Sequence, residues 1–266
     1  MDNSKADKLR ATVRKDYAAV ANCGDVLPGC VPQGSCCGGT SVQDLLSGKL
    51  GYSESDLTSI PEGANLGLGC GNPQLIAQLK PGEVMVDLGS GAGFDCFLAS
   101  PKVGTTGKVI GVDMTPDMLS KARSNAEKGN YNNVDFRLGE IEHLPIADST
   151  ADIIMSNCVV NLSPDKQQVY KDAFRVLKPG GRLAMSDVVA LKELPDNIRQ
   201  DLHMYSSCIG GASLVDNIEQ MLKNAGFTNI KIAIKPGSRE LIKSWSPDTD
   251  MENYVASANI TASKPL

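Results

Sequence analysis

A glycine-rich turn that directly follows a short apolar segment constrains this 266-residue chain more than any other feature. The apolar segment covers residues 84–88, and the turn at residues 89–93 reads Gly-Ser-Gly-Ala-Gly. Glycine has no Cβ, so its backbone can turn sharply and approach a ligand closely. A strand, such a turn and then a helix form the ligand-binding corner of nucleotide-type α/β sheets. The turn therefore predicts an α/β fold with a small-molecule site at this corner.

Strand and helix patterns alternate along the chain after this turn. Short apolar segments predict strands, and amphipathic segments predict the helices between them. The strands are expected at residues 84–88, 108–112, 134–138, 151–156, 183–189, 228–235 and 253–262. The helices are expected at about 94–100, 116–128, 165–177, 195–207 and 213–225. Alternation at this interval predicts a doubly wound α/β sheet.

The amino-terminal part of the chain has a different pattern. Apolar residues at helical spacing predict an amphipathic helix over about 2–21, and the Gly- and Cys-rich stretch at 23–39 is typical of a loop. Short helices are expected between 41 and 79. The expected organisation is a helical, cysteine-rich cap at 1–74, a ligand-binding core at 75–190, and a region at 191–266 that completes the site and the sheet.

Charge and hydropathy exclude several classes of partner. The formal net charge is -5 and the isoelectric point is about 5.1, which leaves no basic footprint for nucleic acid or anionic lipid. No apolar run approaches the roughly 18 residues of a membrane span, and the first twenty residues lack the apolar core of a secretory signal. We therefore expect a cytoplasmic protein that acts on a small molecule, with neither nucleic acid nor membrane as a partner.

The spacing of the glycines and two aspartates narrows the kind of ligand. The turn reads G-x-G-x-G, whereas the dinucleotide fingerprint G-x-G-x-x-G needs a glycine where this chain has Phe94. Asp87 stands just before the turn, and Asp113 ends the second predicted strand. A carboxylate there can accept both hydroxyls of a ribose, although a tight turn beside a surface acid is the alternative. The pattern thus disfavours a nicotinamide-dependent oxidoreductase.

These residues resemble the class I S-adenosylmethionine-dependent methyltransferases. The likeness extends from Val84 to about Val189 and includes the Gly-Val-Asp-Met segment at 111–114 and the Leu-Lys-Pro-Gly-Gly segment at 177–181. The resemblance implies a Rossmann-like sheet and S-adenosylmethionine as the cofactor. An acidic pocket suits its sulfonium cation better than it suits a pyrophosphate.

The same resemblance implies which residues bind the cofactor. The glycine turn would face its methionine end, Asp113 would accept the ribose hydroxyls, and Met114 would pack on the adenine. Glu140 and Ile141, after the third strand, would border the adenine edge. The full predicted set is Asp87, Gly89, Ser90, Gly91, Gly93, Asp113, Met114, Glu140, Ile141, Asn157 and Val159.

Eight cysteines need an explanation in a chain without a secretory signal, because intracellular thiols are normally reduced. Cys70 lies in Gly-Leu-Gly-Cys-Gly-Asn-Pro, Cys158 lies where the fourth predicted strand ends, and Cys208 precedes Ile-Gly-Gly-Ala. Ligands bind outside the carboxyl ends of the strands in such sheets, so Cys158 is expected at the edge of the cofactor. Metalloid binding or redox chemistry is the function that these thiols favour.

The segments around these three cysteines, with Leu-Ser-Pro-Asp-Lys-Gln-Gln at 162–168, closely resemble arsenite methyltransferases over about residues 65–215. The resemblance implies an enzyme that moves the methyl group of S-adenosylmethionine to trivalent arsenic, the substrate, held by Cys70, Cys158 and Cys208. Thiolates favour such soft acceptors. A site of three thiolates leaves a lone pair on the arsenic that can attack the methyl group.

The same family uses a further cysteine near the amino terminus for disulfide exchange. Here that cysteine is Cys36 or Cys37, and the Gly-Ser-Cys-Cys-Gly-Gly stretch at 34–39 departs from the family pattern, so the choice between them stays open. We expect it to pair with Cys70 and return the arsenic to the trivalent state. Thioredoxin or glutathione is the expected external thiol reductant.

Two other functions stay open. The first is a methyltransferase that acts on a quinone, a sterol or another small carbon or oxygen acceptor, and the second is a non-catalytic metalloid-binding or redox-sensing protein. Cys23, Cys30 and Cys96 are expected to be loop or packing thiols, because buried cysteine behaves as a small hydrophobe. A zinc site from the four amino-terminal cysteines is disfavoured, since their spacing is not that of structural zinc sites.

Overall fold

The computed structural model describes residues 3–23, 41–245 and 249–266, and the strands in these ranges form one seven-stranded sheet. They are β1 (Val84–Leu88), β2 (Lys108–Asp113), β3 (Val134–Leu138), β4 (Ala151–Asn157), β5 (Leu177–Ala190), β6 (Thr228–Ile234) and β7 (Val255–Ser263). Their order is β3-β2-β1-β4-β5-β7-β6. The pairs among β1 to β5 are parallel, and β7 runs antiparallel to β5 and β6. The predicted α/β class is confirmed, and the antiparallel β7 is an addition to it.

The helices in the described ranges pack around this sheet. They are α1 (Asn3–Cys23), α2 (Val42–Lys49), α3 (Glu54–Ser59), α4 (Gln74–Ala77), α5 (Phe94–Val103), α6 (Pro116–Lys128), α7 (Lys166–Val176), α8 (Asp196–Gln200), α9 (Leu202–Ser206), α10 (Val215–Ala225) and α11 (Ser238–Trp245). Local chemistry explains several ends. Ser53 forms a capping box at α3, Pro116 occupies the first turn of α6, and Gly226 ends α10 with φ 104°.

The central strands are apolar because helices cover both faces of the sheet. Buried residues occupy four of the five positions of β1 and four of the six positions of β2. Met85 and Ile153 pack on one side of the sheet in a cluster with Phe97 of α5. Ile154 and Tyr170 pack on the other side in a second cluster. Each fully buried side chain of this size contributes about 1.5–3 kcal/mol to stability. The core therefore holds the strands, and with them their carboxyl ends, in fixed positions.

The structure corrects several predicted boundaries. The single helix expected at 195–207 is two short helices, because Asp201 is extended and its carboxylate caps α9 by accepting the amides of His203 and Met204. β5 begins at Leu177 rather than at 183, since Leu177 already pairs with Ala151 of β4, and after an irregularity the pairing resumes at Arg182. Helix α11 has no counterpart among the predicted elements.

The amino- and carboxyl-terminal regions both add to the core. α1 packs against α6 and α9, while β6 and β7 extend the sheet beyond β5. The boundaries expected near residues 74 and 190 stay predictions. Among the described residues, no helix combines the length and the apolar character that a membrane crossing requires.

Candidate active site

The glycine turn and Asp113 form one rigid corner at the carboxyl ends of β1 and β2. Gly89 has φ 68°, and a Cβ there would lie 2.4 Å from the side chain of Val159, so only glycine fits. The Asp113 carboxylate accepts the backbone amide of Gly91 at 2.9 Å and that of Thr115 at 2.8 Å. A carboxylate offers about four lone-pair positions, so both oxygens keep acceptor capacity for a ligand.

A cavity opens beside this corner. The predicted cofactor residues that line it are Asp87, Gly89, Ser90, Gly91, Asp113, Met114, Ile141, Asn157 and Val159. Gly93 begins α5 with φ 94° and is not among the lining residues, while the carboxylate of Glu140 pairs with Arg10 and Arg14. Their predicted roles stay predictions.

Side chains that the sequence did not single out also face the cavity. α1 contributes Arg10 and Tyr17, which cover it from the amino-terminal side. Glu142 also lines it and binds Arg10 at 3.1 Å. No local sequence signal marks α1 as part of the site, because only the packing of α1 on the sheet brings it there.

Two buried acids, Asp87 and Asp95, and the half-buried Asp113 give the cavity an acidic character. Burial raises the pKa values of Asp87, Asp95 and Asp113, and the proximity of Asp95 raises that of Asp87 further. Burial disfavours the charged form of a carboxylate, whereas a nearby cation favours it. A positively charged ligand would therefore relieve the cost of burying these groups. Cys96 donates to Asp87 at 3.3 Å from within α5.

Three buried cysteines come together at the edge of the cavity. Cys70, Cys158 and Cys208 come from the segment before α4, the end of β4 and the residues after α9. The Cys208 thiol donates to the carbonyl oxygen of Cys158 at 2.8 Å, and the Cys70 thiol faces the carbonyl oxygen of Ser186 at 3.5 Å. The structure therefore brings together the three cysteines that were predicted to act jointly.

The loop that carries Cys70 lies against β5 and β7. Gly71 makes this possible, since a Cβ at that position would lie 2.5 Å from the side chain of Ser186. The hydroxyl of Ser257 donates to the carbonyl oxygen of Cys70 at 2.7 Å. Asn157 completes the attachment: its Oδ1 accepts the amide of Cys70 at 3.1 Å. The lack of a side chain at Gly71 thus allows the Cys70 loop to pack against the sheet.

The backbone at the other two cysteines is in the left-handed region. Cys158 has φ 59° and Cys208 has φ 67°. For a residue with a Cβ this conformation costs about 1–2 kcal/mol, and such costs cluster at functional sites. Two cysteines with such backbone strain in one buried cluster make this cluster a candidate functional site.

The amide of Asn157 links the thiols to the acids of the cavity. Its Nδ2 donates to Asp95 at 3.2 Å and to the carbonyl oxygen of Gly71 at 2.9 Å, and lies 3.1 Å from the hydroxyl oxygen of Tyr52. That hydroxyl donates to Asp95 at 2.9 Å. Asn157 was predicted as a cofactor residue, and its side chain also holds the Cys70 loop.

The charges around the thiols affect their protonation. Burial raises the pKa of Cys70, and the pKa of Cys158 is raised by its contacts with Cys208 and Cys70 and by burial. Burial raises the pKa of Asp187, in the same cluster, to about 7. Lys235 opposes the rise at Cys70, because a positive charge favours the thiolate.

The predicted disulfide-exchange cysteines are not part of this geometry. Cys36 and Cys37, together with Cys30, lie outside the described residues, and so does the side chain of Cys23 at the end of α1. Among the described residues, the cysteines with free thiols are Cys70, Cys96, Cys158 and Cys208.

Comparison with known proteins agrees with this geometry. The family model described as a methyltransferase domain matches residues 79–226. An arsenite methyltransferase of Halobacterium salinarum is 50% identical over 264 residues, which cover 97% of this chain and 67% of that protein. The human arsenite methyltransferase is 42% identical over 152 residues, 54% of this chain and 40% of that protein.

A solved structure shows the same likeness. The crystal structure of an arsenic(III) S-adenosylmethionine methyltransferase from Chlamydomonas reinhardtii superposes with a TM-score of 0.62 at 30% identity. The match covers 83% of this chain and 73% of that chain. A phosphoethanolamine N-methyltransferase from Haemonchus contortus, at 19% identity and a TM-score of 0.63, shows the fold alone.

The chain therefore belongs to the class I S-adenosylmethionine-dependent methyltransferases, as its sheet order and glycine turn indicate. Within that class it is a member of the arsenite methyltransferase family, because it is 50% identical to one such enzyme over 97% of this chain. The predicted family and enzyme class are confirmed. The chain spans about two thirds of the Halobacterium relative and 49% of a relative from Aquipseudomonas alcaligenes.

Proposed function

We propose that this chain transfers the methyl group of S-adenosylmethionine to trivalent arsenic held by the thiolates of Cys70, Cys158 and Cys208. The observation that carries the proposal is the burial of these three thiols in one cluster that reaches the cavity through Cys158, with left-handed backbone at two of them. A methyltransferase for a carbon or oxygen acceptor has no need of strained thiols. Three thiolates are the ligand set that a soft trivalent metalloid favours.

The cavity fits S-adenosylmethionine. A Cβ on Gly91 would meet no atom within 4 Å, so the turn borders open space, and the buried hydroxyl oxygen of Ser90 is without a partner there among the described residues. Asp113 would accept the ribose hydroxyls, and Met114 and Ile141 would flank the adenine. Glu140 and Gly93 stay in the proposed set through their neighbours in the chain. When bound, this cofactor supplies a sulfonium methyl group, the electrophile for the arsenic lone pair.

The contribution of the chain is to position the arsenic and to exclude water. Three thiolates fix the arsenic, and the direction of its lone pair follows from the pyramid that they form. Cys158 lines the cavity, so arsenic bound there lies at the edge of the cofactor space. Holding both reactants in one geometry removes much of the entropic cost of a bimolecular reaction. No proton has to leave the arsenic, so the step needs no general base.

Methyl transfer oxidises arsenic by two electrons, so a reductant must return it to the trivalent state. We propose that Cys70 and either Cys36 or Cys37 give up these electrons and become a disulfide. A dithiol protein of the thioredoxin type, or glutathione, would then reduce the disulfide in the cytoplasm. The proposal for Cys36 and Cys37 rests on the family resemblance.

Single-turnover methyl transfer from labelled S-adenosylmethionine to arsenite, with excess thiol, tests the proposed function. Wild type and Cys96→Ser should form methylated arsenic, whereas Cys158→Ser should form none. Cys96 is the matched control, because it is also buried and serine can still donate to Asp87. Tight cofactor binding without methylated arsenic in the wild type would show that the acceptor is another small molecule.

A further inference from the structure

The thiol cluster contains a carboxylate that the proposed arsenic site does not use. The sulfurs of Cys70 and Cys158 and a carboxylate oxygen of Asp187 all lie within 4.8 Å of one another. All three residues are buried. Within the described ranges, Cys208 is not a member of this set, and its thiol donates to the carbonyl oxygen of Cys158.

The Asp187 carboxylate is held in a fixed orientation by several hydrogen-bond donors. It accepts the amides of Val160 at 3.1 Å and Val188 at 2.7 Å, and the side-chain amide of Asn161 at 2.9 Å. The backbone amide of Asn161 is a fourth donor to this carboxylate, so a cation bound here would take the place of one of these hydrogen bonds. These donors, anchored in two segments, hold the carboxylate in position.

A carboxylate and two thiolates do not suit arsenic, but they suit a different ion. Trivalent arsenic favours an all-sulfur site, whereas Zn²⁺ and related divalent cations take thiolate and carboxylate oxygen together in tetrahedral sites. Two positive groups lie near the cluster. Lys166 interacts with Asp187, and Lys235 Nζ would lie 2.7 Å from a Cβ on Gly71. Their charge favours the anionic forms of the three ligands.

We propose that Cys70, Cys158 and Asp187 form a second site for a thiophilic divalent cation of the Zn²⁺ type, which excludes arsenic from the pocket. The inference rests on the proposed function, in which Cys70 and Cys158 also bind arsenic. Binding forms two metal–sulfur bonds and one metal–oxygen bond, and the two thiol protons leave to solvent. The two ions share two sulfurs and differ in the third ligand, which is Asp187 for the cation and Cys208 for arsenic. Such a cation would be a reversible inhibitor.

A titration with Cd²⁺ tests the third ligand. Serine at positions 23, 30, 36, 37 and 96 removes every thiol outside the cluster, and the thiolate-to-cadmium charge-transfer absorbance then reports Cys70, Cys158 and Cys208 alone. Asp187→Asn should weaken cadmium binding about tenfold or more and leave arsenite affinity near that of the parent. Cys208→Ser should instead weaken arsenite binding and leave cadmium binding near that of the parent. Asp172→Asn, another buried carboxylate, is the control for a general loss of stability.

X-ray absorption of the Zn²⁺-loaded parent of the titration, with serine at the same positions and Asp187 intact, keeps the test independent of whether the Asp187 variant folds. We expect sulfur ligands at about 2.3 Å and at least one oxygen at about 2.0–2.2 Å. An all-sulfur shell, an Asp187→Asn protein that binds cadmium as the parent does, or simultaneous binding of Cd²⁺ and arsenite would each overturn the inference. Loss of methyl transfer with intact cation binding would instead count against the proposed function alone.

Discussion

The side chain of Asn157 attaches the Cys70 loop to the end of β4, so its removal tests how the thiol cluster is held. Its Oδ1 accepts the amide of Cys70 at 3.1 Å, and its Nδ2 donates to the carbonyl oxygen of Gly71 at 2.9 Å. Each such bond contributes about 1 kcal/mol net, so the loss of both destabilises the attached position of the Cys70 loop by about 2 kcal/mol. We expect Asn157→Ala to weaken arsenite binding about thirtyfold, because 1.4 kcal/mol corresponds to a tenfold change.

Asn133→Ala is the matched control for this variant. The Asn133 amide donates to the carbonyl oxygens of Ser100 at 3.1 Å and Gly104 at 3.0 Å, next to the amino-terminal end of β3. Asn157 forms four hydrogen bonds and Asn133 three, so both variants should lower the free energy of unfolding by about 3–4 kcal/mol in urea. Equilibrium dialysis should show weaker arsenite binding only in Asn157→Ala. Equal arsenite affinity in the two variants, or a loss confined to S-adenosylmethionine binding, would refute the reasoning.

Three further predictions concern the backbone and the buried acid. Gly89→Ala should abolish S-adenosylmethionine binding, measured by calorimetry, because its Cβ would lie 2.4 Å from Val159; Gly48→Ala, whose Cβ meets nothing within 4 Å, should leave binding unchanged. Asp187 has its pKa raised to about 7, so between pH 4 and 7 only the unfolded state loses this proton and stability falls as pH rises. Asp187→Asn should flatten this slope in urea unfolding by up to about 1.4 kcal/mol per pH unit, and an unchanged slope would contradict it. Cys158→Gly should be about 1 kcal/mol more stable than Cys158→Ala, since glycine relieves the left-handed strain; equal stability would argue against that strain.

The core of the fold was predictable because its signals are local. The helix expected at 116–128 matches α6, whose first turn holds a proline and whose apolar residues keep one period. The strands expected at 84–88 and 134–138 match β1 and β3. Elements without a strong hydrophobic periodicity were harder to predict, and α11 was missed. It is an eight-residue helix whose one fully buried apolar side chain is Ile242.

The cofactor corner was also predictable from the sequence, since a glycine turn and the acid of the next strand are defined by their spacing. The other half of the cavity was not. Arg10 reaches it from α1 and Tyr52 from the segment after α2, so their positions depend on contacts between distant parts of the chain. Glu142 was missed although it lies next to a predicted residue, because spacing alone does not reveal which of three consecutive side chains faces the cavity.

The sequence also contained a signal for Asp187, which was not among the predicted site residues. It stands inside β5, among residues of an apolar strand, and a buried charge there needs partners. The partners are the residues that follow Cys158, since Val160 and Asn161 both donate to Asp187. The carboxylate therefore fixes the backbone beyond Cys158 and presents an oxygen to its thiol at the same time. Asparagine has nearly the same shape as aspartate but no charge, so Asp187→Asn should weaken cation binding and leave arsenite binding near that of the parent.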